Sequence, residues 1–165
     1  MNYYRICQDM SLPNQIRPIL PKLDLFDEKP VFIQGSLETP LEYAYFPHFI
    51  ERPALMVSHQ VKSIWESYQT GWKYRPCALG NIQQKRIQVY WLARARLLDG
   101  LSQYTEYEKD GSLKKIVLSE EKIQFQKVFA LQNLHKIYYI AEKEIVERML
   151  QEHIHGILYQ QVEVA

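Results

Sequence analysis

Residues 54–79 read ALMVSHQVKSIWESYQTGWKYRPCAL, and the fold class turns on them. Ala54–Val57 is a short apolar run of strand type. Ser58 follows in the place of a helix N-cap, where a side-chain oxygen accepts from an otherwise unbonded amide. Val61, Ile64, Trp65 and Tyr68 recur at i, i+3, i+4 and i+7, one face of a helix. Gly71 is placed to close that helix in a left-handed conformation that side chains resist. The spacing predicts a helix over Ser58–Gln69. Trp72–Leu79 returns as a strand, and Pro76 within it suggests a sheet edge or a bulge.

The same grammar continues downstream. In Arg86–Ala95, Ile87, Val89, Trp91 and Ala93 alternate with Gln88, Tyr90, Leu92 and Arg94, which predicts a central strand. Asp110-Gly111 is a two-residue turn signal. That register sets Glu106 opposite Lys115 and Tyr107 opposite Lys114. Val128–Leu131 and Ile137–Ala141 read as two more strands. A second helix is expected over Glu142–His153, with Ile145, Val146, Met149 and Leu150 as its apolar stripe. Gly156 closes it, and Ile157–Val164 is the last strand. Val61, Ile64, Trp65, Gly71 and Tyr74 are echoed 85 positions later by Val146, Met149, Leu150, Gly156 and Tyr159. An internal duplication explains the echo. So does the common need of any strand–helix–strand unit for the same apolar face and cap.

The N-terminal third differs. Seven of the eight prolines lie within residues 1–53. Proline lacks an N–H and restricts its predecessor, so long helices and central strands are not expected there. Short strands near Tyr3–Ile6 and Val31–Gln34 are expected, in an irregular segment packed on a core formed by residues 54–165. The chain has 165 residues, 47% of them hydrophobic and 24% charged. A single domain over 1–165 is therefore expected, since roughly 100–200 residues make one domain. Alternation, turn and two capped helices together predict an α+β fold: a mostly antiparallel sheet flanked by two main helices.

Catalytic signatures are sparse. The chain has neither GxGxxG nor GxxxxGK[ST], and Gly35-Ser36 lacks the flanking glycine of a nucleophile elbow. His153 and His155 are the one close histidine pair, and they read as straddling a helix end instead of sharing a metal. No metal or cofactor is expected. Cys7 and Cys77 lack CxxC spacing. Cys77 is the strongest nucleophile candidate, because Arg75 beside it can lower a thiol pKa. An enzymatic alternative is therefore a cysteine-dependent hydrolase or transferase using Cys77. Glu120-Glu121 reads as a charged, solvated turn.

A net charge of +1 gives no global field for nucleic acid or anionic lipid, so neither partner is expected. No apolar run approaches the ~20 residues of a membrane helix, and the N-terminus has no secretory pattern. The cytoplasm is the expected location. Twelve tyrosines are the unusual number. Tyrosine and tryptophan bury much area with few rotatable bonds, as interfaces require. Trp72, Tyr74, Tyr104 and Tyr107 are the candidate partner-binding residues, expected to be exposed at a helix exit or on a hairpin. Whether the chain dimerises is left open.

Leu55-Met56-Val57-Ser58, Val61, Ile64-Trp65 and Val89-Tyr90-Trp91 resemble the immunity-protein-like domain family of bacterial polymorphic toxin systems. Lys115-Ile116-Val117-Leu118, the Glu142 helix and Gly156 extend the resemblance over roughly residues 54–164. It implies a small cytoplasmic, non-enzymatic protein that protects its producer by binding a toxin. It supplies no catalytic residues.

Overall fold

The computed structural model describes residues 2–21, 27–37, 43–68, 70–82 and 85–165. The elements run β1 (Tyr3–Gln8), β2 (Arg17–Ile19), β3 (Val31–Ser36), β4 (Phe49–Ile50), β5 (Met56–Val57), α1 (His59–Ser67), β6 (Lys73–Asn81) and β7 (Arg86–Arg94). They continue with β8 (Glu106–Tyr107), β9 (Leu113–Lys115), β10 (Val117–Leu118), α2 (Glu120–Ile123), β11 (Val128–Asn133), β12 (Lys136–Glu142), α3 (Lys143–Gln151) and β13 (Ile157–Val164). The fold is α+β and dominated by strands, as expected. The expected single sheet is instead two curled sheets and a small ribbon. One sheet has the order β10-β13-β1-β12-β11, the other β2-β3-β6-β7-β5-β4, and β8-β9 pair alone.

The two sheets repeat one topology. In the first half β4-β5-α1-β6-β7 assembles in the order β6-β7-β5-β4. In the second, β11-β12-α3-β13 assembles in the order β13-β1-β12-β11, with β1 in the place that β7 holds in the first. A further strand lies parallel to the post-helix strand in each half: β3 on β6, and β10 on β13. β1 is thus a central strand, antiparallel to both β12 and β13. This corrects the expectation that the N-terminal third only drapes over the core. Ile6 carries apolar bulk inward, and no proline interrupts residues 3–8.

The sequence echo maps onto these halves. Gly71 and Gly156 are both left-handed, at φ 75° and 83°. Val61 and Ile64 are buried, as are Val146 and Met149. The third pair departs: Trp65 is buried and Leu150 exposed, because α3 buries Ile145, Val146 and Met149.

Both helices are shorter than expected. Ser58 is the N-cap of α1, its Oγ accepting from the Val61 amide at 3.2 Å. Gln69, the expected helix end, lies outside the described residues. Glu142 caps α3 from outside instead of beginning it, and His153 follows the helix at φ 58°. Glu120 and Glu121 begin the short helix α2 instead of a turn. Pro76 sits in a strand paired on both sides, not at an edge. Its ring is accommodated because pairing with β3 starts at Cys77, one residue later.

The β8-β9 hairpin keeps Glu106 opposite Lys115 but sets Tyr107 opposite Leu113, not Lys114. Glu108 accepts from the Gly111 amide at 3.0 Å and donates to Ser112 at 2.8 Å, so the loop is longer than two residues. One extra residue must then be absorbed as a bulge. Lys115 pairs with Glu163 of β13, so its ion pair leaves the hairpin.

Three cores result. The central one is shared by α1, α3 and the facing sides of both sheets, with Trp65, Phe49, Ile6, Ile145 and Met149 fully covered. A second lies behind β6 and β7, closed by Ile16 and Ile50. The third lies behind β11 and β12 and includes Ile123 of α2. Each fully buried side chain of this size contributes about 1.5–3 kcal/mol. Arg148 joins the two helices, with Nη1 3.2 Å from Ser67 Oγ and its guanidinium over the Tyr68 ring.

Candidate functional site

A cleft of about 1490 Å³ opens where the first residues of β6 and the last of β7 approach the β11-β12 turn of the other sheet. Trp72 forms its floor. This ring is only 7% exposed, contrary to the exposure expected of it. It packs edge-on against Trp65 at 4.7 Å and lies 6.2 Å from Tyr139. Its Nε1–H donates to the Val128 carbonyl at 3.0 Å, so the floor ties one sheet to the other.

One wall is built by α1 against β6 and β7. Tyr74 and Trp91 project from neighbouring strands toward the helix. Lys62 covers both rings, its Nζ 4.2 Å from the Trp91 centroid and 5.3 Å from that of Tyr74. Its charge is balanced by Glu66 at 2.9 Å, one helical turn on. Trp91 Nε1, Tyr74 Oη and Thr70 Oγ1 are buried with no hydrogen-bond partner among the described residues. Burial, and secondarily Glu66, push the Tyr74 phenol well above its ordinary range, and nearby Thr70 pulls it back slightly.

The opposite wall is the β11-β12 turn. Tyr138 is flanked by the Arg5 guanidinium at 4.6 Å and Lys136 Nζ at 5.0 Å. Burial pushes the Tyr139 hydroxyl up to about 12, so it stays protonated. Leu97 and Leu134 are exposed apolar side chains on the rim. Asn133 Nδ2 donates to the Gly111 carbonyl at 3.1 Å, which ties the rim to the β8-β9 hairpin.

The four expected partner-binding residues therefore divide. Trp72 and Tyr74 line the cleft. Tyr104 and Tyr107 lie outside it, on and before β8, and are 64% and 51% exposed. Sequence reading missed Trp91, Lys62, Tyr138 and Lys136. Trp91 was visible only as one alternating strand residue, and nothing local signals that Lys62 lies over its ring.

Cys77 is elsewhere. It lies 3% exposed in the second core. Burial pushes its thiol up to about 11, outweighing a backbone hydrogen bond from Leu92 and the charge of Arg75. That is opposite to what activates a cysteine nucleophile. The site expected of a Cys77-dependent enzyme is thus a packed thiol. Cys7 and Cys77 are both unbridged. Among the described residues no three His, Cys, Asp or Glu side chains cluster as metal ligands, and no helix is long and apolar enough to cross a membrane.

Compared with protein-family models and with curated proteins, the chain shows no match.

Proposed function

We propose that the protein is a non-enzymatic binding module whose cleft holds a segment of a protein partner. Its volume carries this reading. At about 1490 Å³ the cleft exceeds the ~300–1,000 Å³ usual for a small-molecule pocket. A folded partner's loop or extended segment needs such room. Exposed leucines at the rim and a tryptophan–tyrosine interior match the composition of interface centres. The partner class is a toxin domain, as the family resemblance implies, and the working compartment is the cytoplasm.

The test is expression beside the protein encoded by the neighbouring gene, scoring growth rescue and co-purification. Rescue with a stable complex is expected. A neighbour that is harmless alone and does not co-purify would overturn the immunity reading. Rescue without a complex would mean that the toxin is modified or destroyed, and would overturn the non-enzymatic one.

A further inference from the structure

We propose that a second copy of this chain pairs antiparallel with the outer edge of β13, a surface separate from the cleft. The Asp9 amide donates to the Gly156 carbonyl at 2.8 Å, and the register from Gln8 opposite Ile157 to Tyr3 opposite Val162 is unbroken. Bonded pairs alternate in an antiparallel ladder, so Leu158, Gln160 and Val162 turn their backbone groups toward β1. Ile157, Tyr159 and Gln161 turn theirs the other way, as does Ala165, whose amide donates to the Leu118 carbonyl at 2.8 Å. On that side β10 covers only Glu163 and Val164. Residues 157–161 have no strand beside them there among the described residues. In the other half β3 fills the equivalent lane, along β6 from Cys77 to Gly80.

An open edge of this composition is a template for another strand. Residues 157–162 read ILYQQV, without charge, proline or glycine. No residue of β13 is fully buried. Proteins usually guard such edges with lysine, proline or a covering loop. This strand is its own complement. With Tyr159 opposite Tyr159 of the second copy, Ile157 meets Gln161 and Leu158 meets Gln160, and no charges are opposed. The outward N–H and C=O of Ile157, Tyr159 and Gln161 are then all bonded in both copies. Moving the two-fold axis to Leu158 or Gln160 leaves one of the three without a strand partner. β10 at one end and the left-handed Gly156 at the other bound the lane to residues 157–161, the same stretch that the two copies share in this register. A foreign strand could bond the same groups, but the uncharged edge offers no charge by which to select one.

Sedimentation equilibrium of the full chain, with no other protein present, tests this. A reversible dimer of twice 19.7 kDa is expected. Gln161→Pro removes an outward N–H and sets its ring in the lane, while leaving the ladder with β1 intact. It should weaken dimerisation about tenfold or more at a near-parental melting temperature. Gln132→Pro is the matched control on β11, the far edge of the same sheet. Its N–H also points off the sheet, two residues from Ala130, whose amide donates to the Arg96 carbonyl at 2.9 Å. It should leave dimerisation unchanged. Tyr159→Cys should give a disulfide-linked dimer under mild oxidation, since bonded cross-strand Cα atoms lie about 5.5 Å apart. Gln161→Cys, away from the two-fold axis, should not. A chain monomeric at every concentration, a Gln161→Pro chain that dimerises as tightly as the parent, or equal cross-linking at both positions overturns the proposal.

Discussion

The Trp72 indole donates to the Val128 carbonyl at 3.0 Å, and that bond crosses from one half of the repeated fold to the other. Trp72→Phe keeps most of the ring but leaves a buried carbonyl unpaired. The expected loss is about 1–3 kcal/mol. Trp72→Ala also opens a cavity and should cost about 3–5 kcal/mol. Urea unfolding measures both. A Trp72→Phe variant as stable as the parent would show that the bond between the sheets contributes nothing.

Acidification should loosen the start of α1. His48 Nδ1 lies 2.8 Å from Ser58 Oγ, which already accepts from the Val61 amide. The tautomer of the His48 ring decides which of the two donates. Burial, then the nearby His155, hold the His48 pKa below 6.5. The unfolded chain thus binds this proton first. The stability contribution is full above pH 6.5 and is lost as pH falls through the lower folded value. Melting temperature should drop between pH 7.5 and 5.5, and His48→Gln should flatten the profile. A parent profile already flat over that range contradicts the argument.

Cys77 should behave as a packed thiol. A pKa near 11 leaves almost no thiolate at pH 8, so Ellman's reagent should reach Cys77 only after unfolding. Cys77→Ala should cost about 1 kcal/mol of stability and leave complex formation and rescue intact. Loss of rescue at an unchanged melting temperature would contradict this.

The repeated topology makes a prediction about chain order. β1 and β13 are antiparallel neighbours, with Tyr3 opposite Val162, so the start of β1 lies beside the end of β13. A permutant joining residue 165 to residue 1 and opening at Asp110-Gly111 would place β1 directly after β13, as β7 follows β6. It should fold with a near-parental melting temperature and circular dichroism spectrum, since exposed turns tolerate new termini. An unfolded permutant would show that β1 must be made first.

Much of this was legible in the residues. The helix stripes at Val61 and Ile145, the Ser58 cap and the strands Arg86–Arg94 and Ile157–Val164 are local patterns of period 3.6 or 2. What was not legible is long-range. The six residues of β1 carry no signal that they pair with strands more than 130 positions away. Nor does Trp72 signal exposure or burial: its neighbourhood comes from Trp65, Tyr139 and Val128, on three separate elements. The cleft inherits that limit, because Lys62, Trp91 and Tyr139 line it together only when the two sheets face each other.

Hydrogen–deuterium exchange of the purified complex tests the central claim most directly. With the proposed toxin partner bound, amides of residues 91–97 and 133–139, on the two walls of the cleft, should exchange more slowly than in the unbound chain. Protection confined to the hairpin around Tyr104 and Tyr107, with both walls unchanged, would contradict it and move the partner's seat to the exposed tyrosines.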